Sequence, residues 1–135
     1  MDNYQSSAHC KYLLKYHMVF VTKYRKSILM GEFDTYIKTL LKRVSMQDDS
    51  LFSIDILETD KNHVHMMLNT KPTVSPSAIA RRLKTITTAY AWQEWNNYLE
   101  KIYWGEHTLW SDGYFVCTTG DACIETVRQY IANQG

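Results

Sequence analysis

Residues 12–21, Tyr-Leu-Leu-Lys-Tyr-His-Met-Val-Phe-Val, place Tyr12, Leu14, Tyr16, Met18 and Phe20 on one face at period two, in a run rich in aromatic and β-branched types. That pattern predicts a strand. After a basic turn at Thr22–Lys26, Phe33, Ile37, Leu40, Leu41 and Val44 recur at helical spacing. They predict an amphipathic helix over about 32–47, ended by Asp48-Asp49-Ser50. Residues 51–58 put Phe52, Ile54 and Ile56 on one face and Leu57 on the other, and His63–Asn69 follows the polar Asp60-Lys61-Asn62 turn. The two runs read as strands of an antiparallel hairpin.

Pro72 breaks the third strand, and Ser75-Pro76 starts a helix: serine caps free backbone N–H groups and proline occupies the first turn without wasting a donor. Its apolar stripe, Ile79, Leu83, Ile86 and Tyr90, carries the helix to about Tyr98. Residues 114–119 predict a fourth strand, and Gly120-Asp121 turns into a final helix capped by Asp121. The order βαββαβ, then α, predicts an α+β fold in one domain over 1–135. Its plan is a ferredoxin-like or RRM-like (RNA-recognition-motif-like) antiparallel sheet with an additional C-terminal helix.

Composition supports a packed core. With 135 residues, 45% hydrophobic and 21% charged, disorder and low-complexity classes are excluded. No run approaches the roughly 20 apolar residues of a membrane span, and the polar first ten residues lack a secretory core, so a soluble, cytoplasmic protein is expected. Cys10, Cys117 and Cys123 form no CxxC pair and read as reduced, structural thiols. The net charge of +1 is uneven: residues 11–43 carry eight Lys or Arg against Glu32 and Asp34, and residues 76–88 carry Arg81, Arg82 and Lys84 with no acid. Lys23, Arg25, Lys26, Arg81, Arg82 and Lys84 are therefore candidates for contacts to a nucleic-acid backbone, or a solvated surface.

His63 and His65, two apart on a strand, direct both imidazoles to one sheet face, where they can share a metal ion or simply occupy half-buried positions. Tyr130 and Gln134, four apart on the final helix, share a face one turn apart. His17 and His107 read as structural or solvated, and Trp92 and Trp95, at helical spacing, as packing.

The ordered series Tyr16–Arg25 (Tyr-His-Met-Val-Phe-Val-Thr-Lys-Tyr-Arg), His63-Val64-His65, Leu109–Val116 (Leu-Trp-Ser-Asp-Gly-Tyr-Phe-Val) and the Tyr130 helix resembles the single-tyrosine HUH transposases of the IS200-like group, from Tyr12 to Gln134. The resemblance implies a metal-dependent enzyme that nicks and rejoins single-stranded transposon ends. Tyr130 would be the nucleophile, making a 5′-phosphotyrosine link. His63, His65 and Gln134 would hold Mg²⁺ or Mn²⁺. It further implies transposon-end hairpins as the DNA partner, a nucleoid-associated homodimer with active sites completed in trans by the C-terminal helix, and no membrane. Two other roles are compatible with these residues: a repeat-associated nickase acting on chromosomal hairpins, and a non-catalytic single-strand-binding domain of the same plan. Many relatives carry an acid before the first histidine, where this chain has Asn62.

Overall fold

The computed structural model describes residues 14–47, 51–118 and 121–133. The Asp48–Ser50 helix end, the Asp121 cap and Gln134 lie outside what it describes at side-chain level. The chain forms β1 (Leu14–Val21), a 3₁₀ turn (Lys23–Arg25), α1 (Gly31–Gln47), β2 (Phe52–Asp60), β3 (His63–Thr70), α2 (Pro76–Glu94), α3 (Asn96–Tyr103), β4 (Phe115–Thr118) and α4 (Asp121–Asn133). The sheet order is β2-β3-β1-β4 with every pairing antiparallel, the expected α+β plan with its extra C-terminal helix.

Strand alternation sorts the apolar residues of β1 to two faces. Met18 and Phe20, with Val64, Met66 and Leu68 of β3, meet Phe33, Ile37 and Leu41 of α1 and Ile79 and Leu83 of α2 in the main core. Val19 and Val21 face the other way, where α4 covers them with Cys123 and Val127, beside Phe115, Cys117, Tyr130 and Ile131. The main core is closed by aromatic contacts: Phe20 lies 5.5 Å from Trp110, whose Nε1–H donates to Thr87 Oγ1 at 2.9 Å. Replacing Leu83, which is fully buried, by alanine is expected to lower stability by about 2–5 kcal/mol in denaturant unfolding, through lost transfer energy and the cavity left behind.

Four expectations are corrected. In β2 a bulge between Ile54 and Ile56 inserts one residue, so the parity flips: Leu57 packs on the core and Ile56 is 43% exposed. The helix expected to reach Tyr98 stops at Glu94, and Trp95, with φ −126° and ψ 33°, separates it from α3. The buried stripe of α2 runs through Thr87, Ala91 and Trp92 rather than Tyr90, which is 50% exposed, because the 109–111 segment packs on that side. Finally, Cys117 and Cys123 are joined as a disulfide with Cα atoms 5.9 Å apart; the short connection from β4 into α4 brings together two thiols expected to be free.

Candidate active site

Both motif histidines descend from β3 on the face that α4 covers. His63 and His65 stand opposite Val21 and Val19 of β1, whereas Val64 and Met66 between and beyond them enter the main core. One transverse row of the sheet runs Glu58, His65, Val19, Phe115. The Tyr130 ring lies on the last of these, 5.3 Å from the Phe115 ring. His65 and Tyr130 therefore occupy one face, across the single strand that carries Val19; neighbouring strands are about 4.8 Å apart. A shallow cavity of about 310 Å³, lined by Phe115, Thr126, Gln129, Tyr130 and Asn133, opens beside the phenol.

Burial sets the protonation states. It lowers the pKa of His63, assisted by the Arg25 charge and opposed by Asp60. It also lowers that of His65, assisted by His17 and opposed by Glu58. Both imidazoles are thus neutral at neutral pH. His63 Nδ1–H donates to Asn62 Oδ1 at 3.3 Å, which leaves the lone pair on His63 Nε2. Burial raises the Tyr130 pKa above that of an ordinary phenol.

A third imidazole joins them. His17, read from sequence as structural or solvated, is buried on β1 with Nδ1 only 2.7 Å from His65 Nε2. With ring centroids 4.9 Å apart, the two rings meet nitrogen to nitrogen, and one nitrogen must carry the shared proton. The available signal was parity: His17 alternates with Met18 and shares the face of Val19 and Val21. The β1–β3 register that makes it diagonal to His65 is not written in either strand alone.

The basic candidates divide. Lys84, half-buried, donates to the carbonyls of Ser111 (2.8 Å) and Gly113. Lys23 pairs with Asp112 at 3.6 Å. Arg25 donates to the Ala132 carbonyl of α4 at 3.1 Å. Lys26, Arg81 and Arg82 are exposed, the last two on α2, which packs on the sheet face opposite the histidines. His107 stacks on Trp92 with centroids 4.2 Å apart. Trp92 itself is packing, as its spacing predicts, with Nε1–H donated to the Thr108 carbonyl.

The family model described as "Transposase IS200 like" matches residues 10–134. The ISDra2 transposase TnpA of Deinococcus radiodurans is 26% identical over 123 residues, which cover 91% of this chain and 85% of that protein. The transposase for insertion sequence element IS200 of Salmonella typhimurium is 27% identical over 136 residues, covering 99% and 85%. A crystal structure from Deinococcus radiodurans R1, described as that of a transposase, superposes with a TM-score of 0.86 at 26% identity, over 96% of this chain and 97% of that one. A REP-associated tyrosine transposase solved bound to a REP hairpin shares the fold, with a TM-score of 0.57 at 13% identity over 93% and 68%. No helix among the described residues is long and apolar enough to cross a membrane. With a family model matched across nearly the whole sequence and this fold beneath it, the chain belongs to the IS200-like transposases.

Proposed function

We propose that this transposase nicks and rejoins single-stranded transposon ends, with Tyr130 as the nucleophile and His63, His65 and Gln134 holding Mg²⁺ or Mn²⁺. The observation that carries the reading is the placement of two half-buried imidazoles and a half-buried phenol over the one sheet face that α4 covers. The Tyr130 oxygen attacks the phosphorus as its proton leaves; the O–P bond forms, the bond to the 3′ oxygen breaks, and that oxygen takes up a proton. The products are a 5′-phosphotyrosine link and a free 3′-hydroxyl. The phosphoester energy is kept for rejoining, so no nucleotide triphosphate is needed.

The donor set fits a weakly held cation. Two neutral nitrogens and an amide oxygen carry no formal charge, and among the described residues no three His, Cys, Asp or Glu side chains converge as a ready-made centre. Phosphate oxygens of the substrate would complete such a shell, which makes binding strongest with DNA present. A bound divalent cation would supply charge that favours the phenolate and neutralises the attacked phosphodiester. The protein's own part is to disfavour protonation of the imidazoles by burial, to orient His63 through Asn62, and to hold the phenol against Phe115.

The test is a labelled hairpin-bearing single strand resolved on a denaturing gel. Cleavage and a covalent adduct are expected with Mg²⁺ or Mn²⁺ and neither with EDTA; binding without an adduct under every condition would leave a non-catalytic binding domain. The proposal includes a homodimer, because joining two ends needs more than one nucleophile. α4 lies on its own sheet in this chain, so a site completed in trans requires α4 to leave it. Mixing Tyr130→Phe protein with His63→Ala/His65→Ala protein reads this directly, since only exchange of α4 restores an adduct.

Affinity for the strand is expected to fall steeply with salt, with a log–log slope of about −0.7 per contacted phosphate. Charge reversal at Arg81 and Arg82 should flatten that slope, measured by fluorescence anisotropy from low to physiological salt. An unchanged slope would show that these arginines do not contact the strand.

A further inference from the structure

The 3₁₀ turn after β1 spends backbone strain on one side chain. Tyr24 (φ 58°, ψ 20°) and Arg25 (φ 52°) are consecutive non-glycine residues in the left-handed region, which bulky residues adopt only when their surroundings over-determine it. The surroundings do. Lys23 N–H donates to the Leu109 carbonyl at 2.9 Å, Tyr103 O–H donates to the Lys23 carbonyl at 3.1 Å, and Tyr24 O–H donates to Glu106 Oε1 at 2.8 Å. Thr22 fastens the turn to the strand beside His63, its N–H donating to the Asn62 carbonyl at 2.9 Å and its hydroxyl to the Lys26 carbonyl at 2.7 Å.

What this rigid turn presents is the Arg25 guanidinium, whose Nη1–H donates to the Ala132 carbonyl, two residues beyond Tyr130. A cation at a helix C-terminus meets both the unsatisfied last-turn carbonyls and the negative end of the helix dipole. Among the described side chains of α4, the buried apolar ones, Cys123 and Val127, lie toward the end held by the disulfide, whereas Tyr130 and Ile131 are only partly buried.

We propose that Arg25 is a positioning residue that clamps the C-terminal turn of α4 to the β1 turn, and thereby holds Tyr130 over the His63–His65 face. The proposal rests on the reading of Tyr130 as nucleophile. It replaces the expectation that Arg25 contacts DNA: the guanidinium is engaged within the protein, at the end of α4 that the disulfide does not secure. Because a misplacement of about 1 Å can cost a hundredfold in rate, loss of the clamp should act on turnover rather than on DNA capture.

The experiment uses the full chain with Arg25→Met, which keeps the aliphatic stem, and Arg25→Lys, which keeps a donor. Amide hydrogen exchange without DNA reports docking. In Arg25→Met, exchange within 127–133 should accelerate at least about tenfold relative to wild type while β2 and β3 amides stay unchanged, and Arg25→Lys should recover part of the protection. On saturating single strand, adduct formation should slow ten- to a hundredfold in Arg25→Met, with DNA affinity and its salt slope unmoved. Unchanged exchange in α4, or a full adduct rate at saturating DNA with weaker and less salt-dependent binding, would overturn the clamp and return Arg25 to the DNA surface. If wild type forms no adduct at all, the nucleophile reading fails by itself, and the exchange measurement still decides whether Arg25 clamps α4.

Discussion

Replacing Tyr130 by phenylalanine is expected to abolish the covalent protein–DNA adduct, by at least about a thousandfold, while DNA binding persists. The ring would keep its contact with Phe115 and its share of the α4 cluster, so the variant loses an oxygen and little packing. An undiminished adduct on a denaturing gel would sink the assignment. The same side chain sets an expectation for pH. Burial raises its pKa, so at any pH a smaller fraction is phenolate than for free tyrosine, whose pKa is about 10. Alkaline buffer at about pH 9 therefore should not substitute for the cation: with EDTA present the adduct stays absent, because the phenol remains mostly protonated.

The double variant His63→Ala/His65→Ala is expected to lose cleavage by about a thousandfold, the rate equivalent of several kcal/mol of transition-state charge stabilisation. Both side chains are only half-buried, and β3 keeps Val64, Met66 and Leu68 in the core, so the fold should survive and unfold cooperatively. Titration with Mn²⁺ separates two causes. A rightward shift in the single variants marks a weakened site, whereas robust cleavage by the double variant would make the histidines structural. Gln134→Ala should be milder, since water can replace a neutral amide ligand.

Periodicity carried most of the fold. Strands, α1 and the start of α2 followed from apolar spacing and from the Ser75-Pro76 signal, whose serine hydroxyl does accept the Ala78 N–H. The bulge in β2 was not legible, because an inserted residue shows only against its partner strand. The break at Trp95 has no proline or glycine to mark it. The second covered face was partly legible: Met18-Val19-Phe20-Val21 is apolar on both sides of the strand, which a sheet with one open face would not require. The HxH spacing fixed the common direction of His63 and His65, but not the presence of His17 beside them. That contact, like the engagement of Arg25 and Lys84 within the protein, depends on register and loop packing between residues far apart in sequence.

The strand order β2-β3-β1-β4 has a consequence for the chain as it leaves the ribosome. β1 is made first but occupies an interior place, and the edge from Tyr16 to Val19 has no partner until Phe115 to Thr118 have been synthesised. The β2–β3 hairpin and its pairing with β1 can assemble meanwhile, setting the histidine pair on a nascent sheet whose open edge is exposed to pairing with other chains. α4 comes after β4 and seats on residues that β4 helps to supply. Tyr130 and, four residues later, Gln134 are thus delivered last, and a partly translated protein holds the histidine pair of the proposed chemistry without the nucleophile that cuts DNA.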